Sequence, residues 1–340
     1  MPIPPIPTLP PHRKVKALPT DPVTKLNKRI GFIGLGIMGE GMACRLVTEQ
    51  IAGRDAENPL VVWNRTVQKC YDMRDKYPST NIVVKDTARE VVESCDIVFS
   101  MLSTPEAARA VFEGEDGVLA GVSEGKSIVD CATLAESDMK RMNEAVMSKG
   151  GQFLEAPVSG SKVPAATGTL IFLCAGPSDL FYGILDNALR VMGKASHYFG
   201  TEVGQGTRAK LVVNSLMGTM MAAYSEGLAL AQSVDLDVSK IVEVIGQGAI
   251  QSPMYALKGP KMLKHDHKPN FPLKHAHKDM ALACDMAKNA KVEYSVMEQA
   301  ELLFRQARED EELSVADSDF SAVYEKIRKE SDGDFTKGKN

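Results

Sequence analysis

Along the first half of the chain, short apolar runs alternate with longer segments in which apolar residues recur at helical spacing. Arg29 to Ile33, Leu60 to Trp63, Ile82 to Val84, Ile97 to Leu102 and Ser127 to Val129 have the length and composition of strands. Such near-continuous apolar runs are what strands buried on both faces require. Met38 to Gln50 and Asp86 to Ser94 between them read as helices. Strands alternating with helices predict parallel βαβ units. Phe153 to Glu155 and Leu170 to Cys174 are runs of the same kind, expected to extend the same sheet. Near Gly200 the pattern changes. One long apolar helix is predicted over 208–234, with further helices at 239–246, 278–289, 296–308 and 320–329, so the second half reads as all-helical. No internal repeat interrupts this scheme. The expected organisation is an arm at 1–28, a sheet domain at 29–200, a helical domain at 201–330 and a tail at 331–340.

Composition supports two folded domains. The 340 residues are 44% hydrophobic and 25% charged, close to the averages for globular proteins, and the length suits two cores. The net charge of −4 hides an asymmetry: residues 1–29 carry six Lys/Arg against one acid, so they hold +5 and the remainder −9. A nucleic-acid binder shows its basic footprint on the folded domain, so nucleic acid is not an expected partner. The longest charge-free apolar run, Leu211 to Ser225, is shorter than the ~20 residues that cross a bilayer, so no membrane association is expected. Six dispersed cysteines without a CxxC pair point to reduced thiols and an intracellular, cytoplasmic address. The first 29 residues hold eight prolines and no serine, which reads as a disordered arm. An organellar destination follows only if that arm serves as a transit peptide.

Candidate chemistry begins with Gly34-Leu35-Gly36-Ile37-Met38-Gly39, a GxGxxG segment between an apolar strand and a helix. That context matches the dinucleotide fingerprint: Gly34 makes the tight turn, Gly36 lets the backbone approach pyrophosphate, and Gly39 allows close helix packing. The fold expected is therefore α/β, an N-terminal Rossmann-type doubly wound parallel sheet and an all-α C-terminal domain joined by a long interdomain helix. After the second strand, where an acid would select NAD, stand Asn64, Arg65 and Thr66. Arg65 can pair with a 2′-phosphate, which favours NADP.

Lys210 and Asn214 lie four residues apart and share a helix face. Pro157-Val158-Ser159-Gly160-Ser161-Lys162 follows a strand with small residues able to nest an anion. Lys278 and Asp279 are expected at the opening of a helix. The pairs His265/His267 and His275/His277 lack an accompanying Cys or carboxylate cluster, so a solvated loop is expected there rather than a metal site. The acidic run Glu309 to Glu312 reads as a solvated loop or helix end.

These segments together resemble the β-hydroxyacid dehydrogenases, and among them most nearly the glyoxylate/succinic semialdehyde reductases, from about Ile30 to Tyr324. The motifs are GFIGLGIMG at 31–39, VWNRT at 62–66, APVSGSKVPA at 156–165, KLVVNSLMG at 210–218, SEGLALA at 225–231 and FPLKHAHKDMALA at 271–283. The resemblance implies Lys210 as general acid, Asn214 orienting the substrate, Ser159, Gly160 and Ser161 gripping its carboxylate, and Thr133 beside the nicotinamide. It implies Phe271, Lys278 and Asp279 closing over the cofactor from the helical domain. Leu35, Ile37, Met38, Met101 and Leu102 complete the expected cofactor contacts. Ala132 departs from the serine common before that threonine, and Ser161 replaces the second glycine typical of 3-hydroxyisobutyrate dehydrogenases, which favours the semialdehyde-reductase branch. The implied activity is NADPH-dependent reduction of a small aldehyde acid without a metal. An NAD-dependent 3-hydroxyisobutyrate dehydrogenase is the alternative. A non-catalytic, chromatin-associated scaffold of the same family lacks the catalytic lysine, which this chain has. A homodimer or homotetramer is expected, because the long helix is apolar around much of its circumference.

Overall fold

The structure, a computed structural model, describes residues 26–293 and 295–335. Nearly all of the expected Pro-rich arm and the end of the tail lie outside the described residues.

Six strands form one parallel sheet: β1 (Ile30–Ile33), β2 (Leu60–Trp63), β3 (Ile82–Val84), β4 (Ile97–Ser100), β5 (Ser127–Asp130) and β6 (Gln152–Glu155). Their order is β3-β2-β1-β4-β5-β6, all in parallel register, the doubly wound arrangement whose ligand crevice lies beyond the strand carboxyl ends where the order reverses, here beside β1 and β4. Alternation along the strands divides their side chains between two cores. Phe32, Phe99, Val129 and Leu154 enter one, while Ile33, Val98, Ile128 and Phe153 enter the other. The helix Ala88–Ser94 between β3 and β4 starts two residues later than the sequence suggests, because Thr87 and Glu90 form a reciprocal capping box there.

The expectation for Leu170 to Cys174 requires correction. Phe153 to Glu155 does continue the main sheet as β6, but Leu170–Cys174 (β8) belongs to a second sheet with β7 (Val158–Ser159) and β9 (Gly193–Tyr198). Pro157 has no N–H to continue a ladder, so the chain leaves the main sheet after β6 and β7 pairs back antiparallel to β8. The strand Gly193–Tyr198 carries no apolar run and was not predicted. Its largely half-exposed residues lie parallel to β8.

The helical domain is built on the helix Gln205–Ser233. Behind it pack the helices Val238–Gln247, Pro253–Met262, Leu273–Asn289, Ser295–Glu309 and Val323–Phe335, around a third core that includes Met221, Leu228, Phe304 and Phe320. Two glycines of the long helix mark close approaches. A Cβ on Gly206 would stand 2.3 Å from the Leu173 carbonyl oxygen of β8, and one on Gly218 would stand 2.2 Å from Met280 Sδ. The second contact lets the helices Gln205–Ser233 and Leu273–Asn289 cross tightly. The latter helix begins five residues before the predicted start, since Leu273, Ala276, His277, Met280 and Ala283 recur at helical spacing on its buried side. Pro253–Met262 was not predicted, although Ser252 caps it and Pro253 occupies its first turn. The acidic run is also not simply solvated: Asp310 accepts ion pairs from Lys326 and Lys329 at 3.1 and 3.0 Å, pinning the turn to the last helix. All six cysteines are free thiols. No described helix is long and apolar enough to cross a membrane.

Candidate active site

The glycine turn after β1 is shaped by the backbone. Gly34 has φ +95°, and a Cβ there would lie 2.5 Å from the Met101 carbonyl oxygen at the end of β4. A Cβ on Gly39 would lie 1.9 Å from the Gly34 carbonyl oxygen, so the helix start packs directly on the turn. At Gly36 the opposite holds, for a Cβ would meet no protein atom within 4 Å. It would project into open space, as expected where a dinucleotide backbone lies against the chain. Asn64 has a structural role here. Its Oδ1 accepts from the Leu35 N–H at 2.9 Å and its Nδ2 donates to the Thr66 carbonyl at 2.9 Å, tying the end of β2 to the glycine turn. Arg65 is exposed and makes no hydrogen bond or ion pair among the described residues.

Gly36, Ile37, Met38 and Gly39 line a cavity of about 290 Å³ with Met101, Leu102 and Thr133, facing Phe271, Lys278 and Asp279 of the helical domain. The cavity thus joins residues that the sequence assigned to the cofactor from both domains. Lys69, Ser103, Asn270, Pro272 and His275 also line it and were not anticipated. Lys69 has a sequence signal, since it stands in the first turn of the helix Gln68–Lys76 that follows Arg65. The floor is braced by Asp130, a residue the sequence gave no reason to single out. Its Oδ2 accepts from Ser100 Oγ at 2.5 Å and its Oδ1 from the Ala132 N–H at 3.0 Å. Burial pushes this carboxyl up to about 6.

From the floor a relay of polar contacts runs into the helical domain. Lys278 Nζ donates to the Thr133 carbonyl oxygen and lies 3.0 Å from Asp279 Oδ1. Asp279 Oδ2 accepts from Asn214 Nδ2 at 2.6 Å, and Asn214 Oδ1 accepts from Lys210 Nζ at 2.8 Å. Lys278 and Asp279 lie in the second turn of the helix Leu273–Asn289, not at its opening. Lys210 and Asn214 are buried behind Asp279 and do not themselves line the cavity. Burial lowers the Lys210 ammonium to about 8, against the opposing pull of Asp279. Among the described residues Asn214 is the hydrogen-bond partner of that ammonium, so two of its three donors remain for a ligand.

Ser159 ends β7, whose strand packs against the long helix that carries Lys210. Gly160 has φ +134°, and a Cβ there would press on Leu170 and Pro164, so glycine is required by the turn itself. Ser161 precedes the short helix Lys162–Thr167. None of the three lines the cavity. The histidines depart from the solvated-loop expectation: His275 and His277 lie inside the helix Leu273–Asn289, and His277 is buried between Glu301 and Arg308.

Two family models cover almost all of the described chain. Residues 29–200 match the NAD-binding domain of 6-phosphogluconate dehydrogenase, and residues 204–327 match the NAD-binding domain of NADP-dependent 3-hydroxyisobutyrate dehydrogenase. The chain is 43% identical over 299 residues to glyoxylate/succinic semialdehyde reductase 2, chloroplastic, of Arabidopsis thaliana, covering 88% of this chain and 79% of that protein. This chain belongs to the β-hydroxyacid dehydrogenase family. Glyoxylate/succinic semialdehyde reductase 1 of the same plant is 40% identical, covering 88% of this chain and 98% of its own. Among solved structures, a Mycobacterium tuberculosis 3-hydroxyisobutyrate dehydrogenase with L-serine superimposes with a TM-score of 0.75 at 25% identity, over 88% of this chain and 99% of that one. As a member of this β-hydroxyacid dehydrogenase family the chain is an oxidoreductase acting on CH–OH groups with a nicotinamide dinucleotide, and the space at Gly36 and the cavity beside it fit such a group.

The two glycines predict opposite phenotypes. Gly36→Val leaves the melting temperature within a degree or two of wild type and abolishes dinucleotide binding by fluorescence titration. Gly39→Ala destabilises the fold by about 1–3 kcal/mol, the range for overpacking, measured by chemical denaturation.

Proposed function

We propose that this protein is an NADPH-dependent reductase of small aldehydes that carry a carboxylate, with glyoxylate and succinic semialdehyde as its substrates and Lys210 as the general acid. The observation that carries this reading is the buried Lys210 ammonium with two uncommitted donors, held near pKa 8 beside Asn214. The two plant glyoxylate/succinic semialdehyde reductases that the chain resembles support the substrate class.

The reduced nicotinamide, when bound, supplies the hydride. The glycine turn and the first turn of the helix Gly39–Thr48 hold the pyrophosphate, and Arg65, with Lys69 nearby, pairs with the 2′-phosphate. Phe271 and Pro272 close the apolar wall and keep water from the reacting carbon. As negative charge grows on the carbonyl oxygen, Lys210 donates a proton to it, and the lowered pKa makes that transfer easier at neutral pH. Asn214 keeps the ammonium in place by accepting one of its protons, while Asp279 holds the Asn214 amide from the other side. Ser159, Gly160 and Ser161 bind the remote carboxylate, which orients the carbonyl for attack. A 3-hydroxyisobutyrate dehydrogenase is the second reading, favoured by the match over 204–327. A steady-state panel of glyoxylate, succinic semialdehyde and methylmalonate semialdehyde with NADPH and NADH separates the two.

The exposed apolar residues Val212, Val213 and Leu216 of the long helix, 51, 40 and 61% accessible, support assembly with a second copy through the helical domain. Light scattering at micromolar concentration should return a dimer or tetramer mass, and a monomer contradicts it.

Lys210→Met should cut kcat by about 10² to 10⁴-fold, the usual worth of general acid catalysis, with NADPH affinity unchanged. The acid is the ammonium, present below about pH 8 and lost above it. Wild-type reduction should therefore fall as pH rises through 8, and the variant should lack that limb. Arg65→Ala should weaken NADPH by about ten- to a hundredfold, since a charge-assisted hydrogen bond is worth about 1.5–3 kcal/mol, and should leave NADH little changed. Equal losses by isothermal titration would remove Arg65 from that role.

A further inference from the structure

His265 and His267 lie in the connection between the helices Pro253–Met262 and Leu273–Asn289, and the fold brings Glu325, from the first turn of the last helix, against both. This carboxylate is the partner that the linear sequence did not reveal for the HxH pair. Glu325 Oε1 lies 2.8 Å from His265 Nδ1 and 2.8 Å from His267 Nε2, and the three ligand atoms fall within 4.8 Å of one another. We propose that His265, His267 and Glu325 bind one zinc-class divalent metal ion, which staples this connection to the last helix.

The donor and acceptor arrangement around His267 calls for a cation. Ser321 Oγ donates its single proton to Asp319 Oδ1 at 2.9 Å, so at His267 Nδ1, 3.2 Å away, it can only accept. A neutral imidazole has one N–H. With that proton on Nδ1, the lone pair on Nε2 faces the Glu325 carboxylate, and a positive charge between them relieves the repulsion. The same arrangement is how a ligating histidine is held, its far nitrogen donating outward and its near nitrogen free for the metal. Two imidazoles and one carboxylate are a ligand set that zinc accepts, with water in the fourth position. Bonds of about 2.0–2.2 Å place tetrahedral ligands about 3.4 Å apart, so an ion would draw the carboxylate oxygen back from each imidazole by roughly half an ångström, with the two rings adjusting to match.

Three further observations agree. His265 has φ +51°, an uncommon conformation for a residue with a side chain, and it turns the ring onto Glu325. The His265 side chain is 50% accessible, which gives an ion a way in, while those of His267 and Glu325 are 9 and 16% accessible. Arg328 donates to Glu325 Oε2 at 3.0 Å, on the oxygen opposite the one that meets the imidazoles. It also stands 3.4 Å from His265 Nδ1, a contact that a bound ion would have to displace. The site continues toward the dinucleotide cavity through Ser321 and Asp319, because Asp319 Oδ2 accepts from the Asn270 and Phe271 N–H groups at 3.1 and 3.3 Å.

The test uses tag-free full-length protein, stripped with a chelator and dialysed against Zn²⁺ alone, with retained metal counted by mass spectrometry and Co²⁺ spectra reporting coordination. Wild type should retain one ion per chain and give the intense visible bands of tetrahedral cobalt. His265→Ala, at a half-exposed position that leaves the fold intact by circular dichroism, and Glu325→Gln should each weaken binding by more than about a hundredfold, beyond the 10- to 100-fold typical of losing an outer-shell partner. His197→Ala, in the second sheet, should bind as wild type. No retained ion in wild type would show that a proton alone bridges these groups and would overturn the site. So would equal retention by wild type, His265→Ala and Glu325→Gln.

Discussion

The carboxylate of Glu155 couples the two halves of the molecule. It ends β6, wholly buried, and its Oε1 accepts from the Gly204 and Gly206 N–H groups at 2.6 and 2.8 Å, while Oε2 accepts from the Thr207 N–H and hydroxyl at 3.3 and 2.6 Å. The long helix has no side-chain cap of its own, so a residue of the sheet satisfies its first N–H groups and meets the positive end of its dipole. Burial pushes this carboxyl up, and the four donors pull it back. Removing the charge would leave several buried donors unmet, each costing about 1–3 kcal/mol. Gly206, pressed against β8, fixes the same junction sterically. The position of Lys210, one turn further along, follows from this anchor.

The rest of the site extends that coupling. The long helix sets Lys210 and Asn214, the tight crossing at Gly218 and Met280 sets Asp279 beside Asn214, and Lys278 returns to the sheet at Thr133. Each polar group in this path is buried or half-buried, and unpaired groups there would be costly. The relay therefore specifies how the helical domain faces the strand ends. The same burial that demands partners also lowers the Lys210 ammonium.

What the sequence made legible had short-range or periodic signals. The apolar runs announced the six parallel strands apart from their exact ends, Gly34 to Gly39 announced the turn, and the spacing of Lys210 and Asn214 announced a shared face. Features made by distant partners were hidden. Nothing around Glu155 marks it as the cap of a helix fifty residues on, Asp130 looks like any strand-end acid, and Glu325 meets His265 and His267 only after the last helix docks. Asn64 was visible as a missing acid but not as the bracket of the glycine turn. The strand Gly193–Tyr198 escaped because a half-exposed edge needs no apolar run, and the start at Leu273 escaped because the polar residues Lys274 and His275 obscure the buried side.

Under the proposed function, burial behind Asp279 on a helix anchored by Glu155 makes Lys210 an acid poised near neutral pH. Its most direct test is the titration of the Lys210 side-chain resonance by heteronuclear NMR in lysine-labelled protein, assigned by comparison with Lys210→Met. A midpoint near 8 is expected, displaced from the ordinary lysine value of about 10.4. A midpoint at the ordinary value would mean that the ammonium is solvated and that the buried relay does not set its acidity.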